Sequence, residues 1–290
     1  MIEQSERAPS LTRSLVPSRP PPPVRPAKRS PLLVELALVA FLGWVYNWLQ
    51  DLAPLRRAAA LRHGAAVLSL EHELGIAPEK AMDHWLAGQH VLAYISSDFY
   101  DNAIFVVTFC FAAWTWWRRP DIYRPLRNTL VVANLAGFAV FWAYPVAPPR
   151  MLPGFVDVVE RVGGLGSWHN TLIEHADQLA AMPSMHLAWA VWCSLVAWRL
   201  ARTRRGRVVA GTFAVLYPVT TTFVVLSTGN HYVLDVVAGT ACTVLAALAC
   251  RVGPLAARRL RNGHGFARRH RLRHSPRPAT RVTRTLPSSR

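Results

Sequence analysis

The chain has 290 residues, 52% of them apolar, and carries 33 Lys and Arg against 16 Asp and Glu, a formal net charge of +17. Nearly all of that charge lies at the ends: residues 1–31 net +4, residues 251–290 hold twelve Arg and no acid, and residues 32–250 net only +1. A near-neutral middle with long apolar runs argues against a soluble globular enzyme and against an ordinary basic nucleic-acid-binding domain, and points to a polytopic membrane protein with solvated ends.

Residues 1–31 contain eight prolines, four of them consecutive from Pro20 to Pro23. Proline breaks helices, so this segment is expected to be a disordered tail. It does not resemble a signal peptide, because the first apolar run starts after residue 31 and has no small-residue cleavage site behind it. A spanning helix needs ~20 mostly apolar residues. Six segments qualify, at roughly residues 32–50, 91–117, 127–147, 184–201, 208–226 and 232–251. The expected fold is therefore all-α, a six-span membrane domain over residues 32–252. Residues 52–90 are too polar to span and read as one or two amphipathic helices, interfacial or re-entrant, with Ala58 to Leu70 in the first and Pro78 opening the second. Residues 253–290 form a second expected disordered tail, whose arginines suit anionic lipid headgroups; no nucleic-acid partner is expected. Cys110, Cys193, Cys242 and Cys250 all fall in apolar stretches without C-x-x-C spacing, which reads as free buried thiols.

Orientation follows from the loops. Segment 118–127 carries four Arg and one Asp, and segment 199–207 carries five Arg and no acid. Segments 51–90 and 148–182 are balanced or acidic. The positive-inside rule then puts both termini and the Arg-rich loops in the cytoplasm, and the long loops outside. The Ala, Arg and Trp bias fits a GC-rich bacterial coding sequence, hence the plasma membrane.

Three outer-side motifs break local rules. The third span ends in Tyr144-Pro145-Val146-Ala147-Pro148-Pro149-Arg150, where three prolines stop the helix and fix the direction of one guanidinium, a fork suited to phosphate oxygens. Arg150 alone also fits a side chain snorkelling to headgroups. The fourth span opens with Met182-Pro183-Ser184-Met185-His186, a helix start with unpaired N–H groups, a hydroxyl and a histidine one turn in. The sixth follows Thr228-Gly229-Asn230-His231 and places Asp235 four residues after His231, on the same helix face. A carboxylate in a span is expensive, and one that orients a histidine has the logic of a nucleophilic site. A structural His–Asp pair between helices is the alternative for these two alone. All three motifs meet at the outer face, which favours phosphoryl transfer over a zinc site.

Pro183-Ser184-Met185-His186 followed by His231-x-x-x-Asp235 resembles the last two signature motifs of the type 2 phosphatidic acid phosphatase superfamily. With Ala147-Pro148-Pro149-Arg150 and Gly229-Asn230-His231-Tyr232, the chain looks most like the inositolphosphotransferase-type branch that includes inositol phosphorylceramide synthase, over roughly residues 32–252. Two features depart from the superfamily pattern. No K-x6-R-P motif precedes the fourth span, where Arg150 substitutes by position, and Val225 stands where an Arg is usual before the third-motif histidine. The resemblance implies His231 as nucleophile, Asp235 as its orienter, His186 as acid and base, and Arg150 and Ser184 as phosphate-binding groups. It implies no metal or cofactor, a lipid phosphate as substrate, and water or a polyol such as inositol as acceptor. The rival classes are a membrane transporter and a scaffold with a non-catalytic anion site.

Overall fold

A computed structural model describes residues 29–51, 56–162 and 179–251; the expected tails lie almost wholly outside these. The described residues are predominantly helical. Their only extended pairing is one isolated bridge between Val146 and Ala180. The helices are α1 (Leu32–Asp51), α2 (Arg57–Glu73), α3 (Glu79–Ala87), α4 (His90–Asp98), α5 (Ile104–Arg118), α6 (Pro120–Ala143), α7 (Val158–Val162), α8 (Met185–Leu200), α9 (Arg204–Ser227) and α10 (Val233–Arg251).

Four of the described helices are long and apolar enough to cross a membrane: Leu32–Leu49, Pro120–Ala143, Arg204–Ser227 and Val233–Arg251. The other two expected spans are helical but differ from a simple crossing. Residues 90–118 are α4 and α5 joined through a π-helical turn at Phe99–Ala103. Helix α8 has 16 residues, about 24 Å of rise, because Ser184 caps its start and Ala201 turns extended at its end. It is also the most enclosed, with Leu187, Ala188, Ala190, Trp192, Cys193, Ser194 and Val196 buried. Neighbours α5, α6 and α9 surround it, and Thr243 Oγ1 of α10 donates to the Ala188 carbonyl at 2.7 Å. Trp192 Nε1 donates to the Leu126 carbonyl at 2.8 Å, so the one polar atom of this buried indole is satisfied.

Helix α1 is peripheral and presents its apolar residues outward, with Leu33 80% exposed. What ties it in is polar: Glu35 accepts from Tyr123 Oη at 2.8 Å and from Arg127 Nη1 at 2.7 Å. Exposed aromatics gather at both ends of the helices. Trp48 stacks on Trp142 at 5.7 Å, and Arg118 lies over Trp114 and Trp117. Bare apolar flanks with aromatic ends are the surface of a membrane-embedded protein.

Helices α2 and α3 do more than lie on an interface. They close one end of the bundle, with Ala147 N donating to the Ala60 carbonyl at 3.0 Å and the His63 ring donating to the Pro145 carbonyl at 2.8 Å. At Gly64 a Cβ would come within 2.6 Å of the Ala147 carbonyl oxygen and 2.9 Å of Tyr232 Oη, so only glycine permits this approach. The two helices also bury the carboxylates Glu71, Glu79 and Asp83, which an interfacial helix would leave in water.

Candidate active site

The covered end of the bundle holds all five residues singled out by the motifs. Helix α6 stops at Ala143, and the following prolines keep residues 145–148 buried and non-helical before a short 3-10 turn at Pro149–Met151. The segment before α8 is pinned to this exit: Val146 N donates to the Leu179 carbonyl at 3.2 Å and Ala181 N to the Val146 carbonyl at 3.1 Å. Arg150 N donates to the Gly229 carbonyl at 2.8 Å, which joins the exit to the turn before α10. Gly229 adopts φ +67°, and a Cβ there would meet Asp83 Oδ1 at 3.1 Å. Both the backbone angle and the close approach call for glycine.

His231 is 4% exposed. Its Nδ1 lies 2.9 Å from the Ala181 carbonyl oxygen and 3.4 Å from Asp235 Oδ2. Both partners are acceptors, so Nδ1 carries the proton and the lone pair resides on Nε2. That Nε2 is buried and has no hydrogen-bond partner among the described residues. The resemblance makes Asp235 the orienter. It takes part, but the Ala181 carbonyl makes the shorter bond, and Asp235 Oδ2 also accepts from Tyr232 N at 2.9 Å.

His186, in the first turn of α8, faces His231 with ring centroids 5.7 Å apart and planes inclined at 63°. Its ring stacks on Tyr100 at 4.3 Å, and its Nε2 donates to the Tyr100 carbonyl at 3.1 Å. Tyr100 lies in the π-helical turn, a device that recurs at functional sites because it shifts carbonyls off the α-helical ladder. Ser184 is fully buried at the start of α8; its Oγ accepts from Leu187 N at 3.4 Å, and its own O–H remains to donate. Ser184 N donates to the Asp235 carbonyl at 3.0 Å, which fixes α8 against α10.

Arg150 is not a lone cation. Its Nε donates to Asn230 Oδ1 at 2.7 Å and its Nη1 to Asp157 Oδ2 at 3.1 Å. The Asp157 carboxylate offsets part of its charge. Among the described residues no group of three or more His, Cys, Asp or Glu is placed to hold a metal ion.

Sequence reasoning missed Tyr100, Ala181, Asn230 and Asp157, along with Glu71 and Glu79. Tyr100 and Ala181 act through backbone carbonyls, and Asn230, Glu71 and Glu79 pair across long separations, which leaves no local spacing signal; Asp157 pairs with Arg150 seven residues away, but in a stretch without a regular period. Asp83 was missed as well: its Oδ2 accepts from Val156 N at 2.9 Å, and burial raises its carboxyl above the ordinary aspartate value.

Searches of curated proteins and of solved structures return no match. A family model does match, over residues 65–249, more than half of the chain and enough to include Arg150, Ser184, His186, His231 and Asp235. That span, and the way the fold gathers its two histidine motifs at one end of the bundle, make this chain a member of the PAP2 superfamily.

Proposed function

We propose that the protein is an integral-membrane lipid-phosphate phosphatase or phosphotransferase that works through a phosphohistidine on His231. PAP2 superfamily membership fits a phosphatase or phosphotransferase in general. The observation that carries the finer reading is the buried, unpartnered Nε2 of His231, with Nδ1 held by two acceptors. A neutral imidazole so held keeps its lone pair aimed, desolvated and unable to rotate away.

In the first half-reaction Nε2 attacks phosphorus. The bond from phosphorus to the leaving oxygen breaks, and that oxygen takes a proton from His186. In the second half, the acceptor O–H gives its proton to His186, its oxygen attacks phosphorus, and the N–P bond breaks. Water as acceptor releases phosphate; a polyol such as inositol as acceptor receives the phosphoryl group and makes the enzyme a transferase, and with a phosphoinositol donor the group moved is phosphoinositol. The bond from His186 Nε2 to the Tyr100 carbonyl fixes the ring assigned to shuttle the proton. Arg150, Ser184 and the amides at the start of α8 stabilise the equatorial oxygens. No metal or cofactor enters the scheme.

The remaining features belong to the same proposal: six spans, both termini cytoplasmic, the site at the outer face of the plasma membrane, and the Arg-rich C-terminal tail on anionic headgroups. The test is turnover of a panel of radiolabelled lipid phosphates by purified protein, with and without inositol, alongside His231→Ala and His186→Ala. Loss of turnover in folded His231→Ala is expected; wild-type turnover in that variant would refute the mechanism.

A further inference from the structure

The start of α10 is capped in part from outside its own sequence. The first N–H groups of a helix need acceptors, and Tyr232, at the capping position, supplies none: its hydroxyl donates to the Ala147 carbonyl at 3.0 Å. Three carboxylates take three successive N–H groups instead. Asp235 Oδ2 accepts from Tyr232 N at 2.9 Å, Glu79 Oε1 from Val233 N at 3.0 Å and Glu71 Oε1 from Leu234 N at 2.6 Å. The glutamates reach across from α3 and α2, and both are fully buried.

Each glutamate uses one oxygen in this way. The second oxygen of each, Glu71 Oε2 and Glu79 Oε2, is buried without a hydrogen-bond partner among the described residues. Because they accept from consecutive amides, the two carboxyl groups are held next to each other at the start of α10. Two ionised carboxylates there would repel, with no donor for either second oxygen among the described residues, whereas one proton between them satisfies both orphan oxygens at once.

We propose that Glu71 and Glu79 share one proton and act as the positioning pair that holds the His231–Asp235 turn in register for phosphoryl transfer. This rests on the reading of His231 as the nucleophile. Val233 and Leu234, whose amides the pair grips, lie between His231 and Asp235 in the chain. A shift of that turn by about 1 Å costs on the order of 100-fold in rate.

The titratable groups facing Glu71 are Glu79 from α3 and Asp235 and Tyr232 from α10. Burial first, then the bond with Glu79, pushes the Glu71 carboxyl from 4.5 up to about 8. The folded state therefore holds a proton that the unfolded chain gives up near 4.5. The stabilisation is complete below that value and is lost as pH rises through about 8.

The test uses the full chain in nanodiscs with Glu71→Gln, Glu79→Gln and Glu71→Ala. In Glu71→Gln the amide oxygen still accepts from Leu234 N and the amide nitrogen donates permanently to Glu79; Glu79→Gln places the donor on the other side. Both Gln variants are expected to turn over at least ten-fold faster than Glu71→Ala and to lack the alkaline fall of kcat expected of the wild type at about pH 8. Glu71→Ala is expected to lose about 100-fold in kcat with little change in KM. Independently of turnover, the melting temperature of the wild type should fall relative to that of Glu71→Gln between about pH 5 and 9. Gln variants as slow as Glu71→Ala, an unchanged alkaline limb, a melting difference flat in pH, or failure of both Gln variants to fold would each overturn the pair. His231→Ala separates the two claims: if it remains active the nucleophile is wrong, while the melting arm still decides the shared proton.

Discussion

Asp235→Asn isolates how His231 is held. The carboxylate is fully buried, and its Oδ2 is shared between Tyr232 N at 2.9 Å and His231 Nδ1 at 3.4 Å. An Asn with its oxygen in the Oδ2 position keeps both acceptor contacts but without the charge. Its NH2 then occupies the site of Oδ1, which has no partner among the described residues. A hydrogen bond to a charged group contributes about 1.5–3 kcal/mol, and at 3.4 Å the His231 bond belongs at the weak end. At about 1.4 kcal/mol per decade this corresponds to a roughly 10- to 100-fold loss of kcat. The buried unpaired amide costs a further ~1–3 kcal/mol of stability without touching the chemistry. Where a carboxylate alone sets the histidine tautomer, the same exchange costs about 10⁴-fold. Here the Ala181 carbonyl, 2.9 Å from Nδ1, cannot donate and so preserves the tautomer. The assay is single-turnover phosphate release by Asp235→Asn and wild type, with melting temperatures measured in parallel. A loss near 10⁴-fold, equal to that of His231→Ala, would show that the Ala181 carbonyl does not hold the tautomer; no loss at all would show that the His231–Asp235 contact is idle.

Other outcomes follow from the same geometry. Tyr100→Leu removes the ring stacked on His186 but keeps its backbone acceptor, and should lower kcat by about 10-fold while leaving KM nearly unchanged; a pure KM effect would contradict a positioning role. Gly239→Ala should prevent correct folding, judged by size-exclusion profile, because its Cβ would collide with the Ser184 carbonyl where α10 crosses the start of α8; a normal, active protein would contradict that crossing. Arg127→Ala should destabilise by roughly 2 kcal/mol, less than a fully buried pair because the Arg127 side chain keeps 22% exposure; an unchanged melting temperature would mean α1 is held otherwise. In intact cells an impermeant maleimide should label Glu73→Cys and spare Arg204→Cys; the reverse would invert the topology. Turnover should persist in EDTA and stop with vanadate, and activity lost in EDTA and restored by zinc or magnesium would revive a metal mechanism.

What was legible in the sequence was whatever repeats locally. The apolar runs located α1, α6, α9 and α10 and the helical cores of residues 90–118 and 185–200. The histidine motifs placed His186 and His231 at helix starts, and the fold sets their rings 5.7 Å apart. Arg150, the least specific of the site residues, proved to be bound into the Gly229–Asn230 turn. The cap over the site was hidden. Glu71 and Glu79 flank the Gly75–Pro78 turn in a segment whose polarity suits an interface, and nothing near them shows that both point inward. Their burial is compensated 154 and 163 residues away, at Val233 N and Leu234 N, and pairings at that separation leave no periodicity. The Ala181 and Tyr100 carbonyls were hidden for another reason: a backbone acceptor is present at every residue, so no residue type marks it.

The proposed mechanism requires a covalent phosphoryl bond on one nitrogen of one histidine. Rapid quenching of the purified protein with ³²P-labelled lipid phosphate, followed by denaturing gel electrophoresis at alkaline pH, measures it directly. The expected result is a phosphoenzyme approaching one per chain that is stable in alkali, labile in acid, absent in His231→Ala and accumulated in His186→Ala when a good leaving group is supplied. A wild type that turns over with no trapped phosphoenzyme, or a label of equal size in His231→Ala, would contradict it.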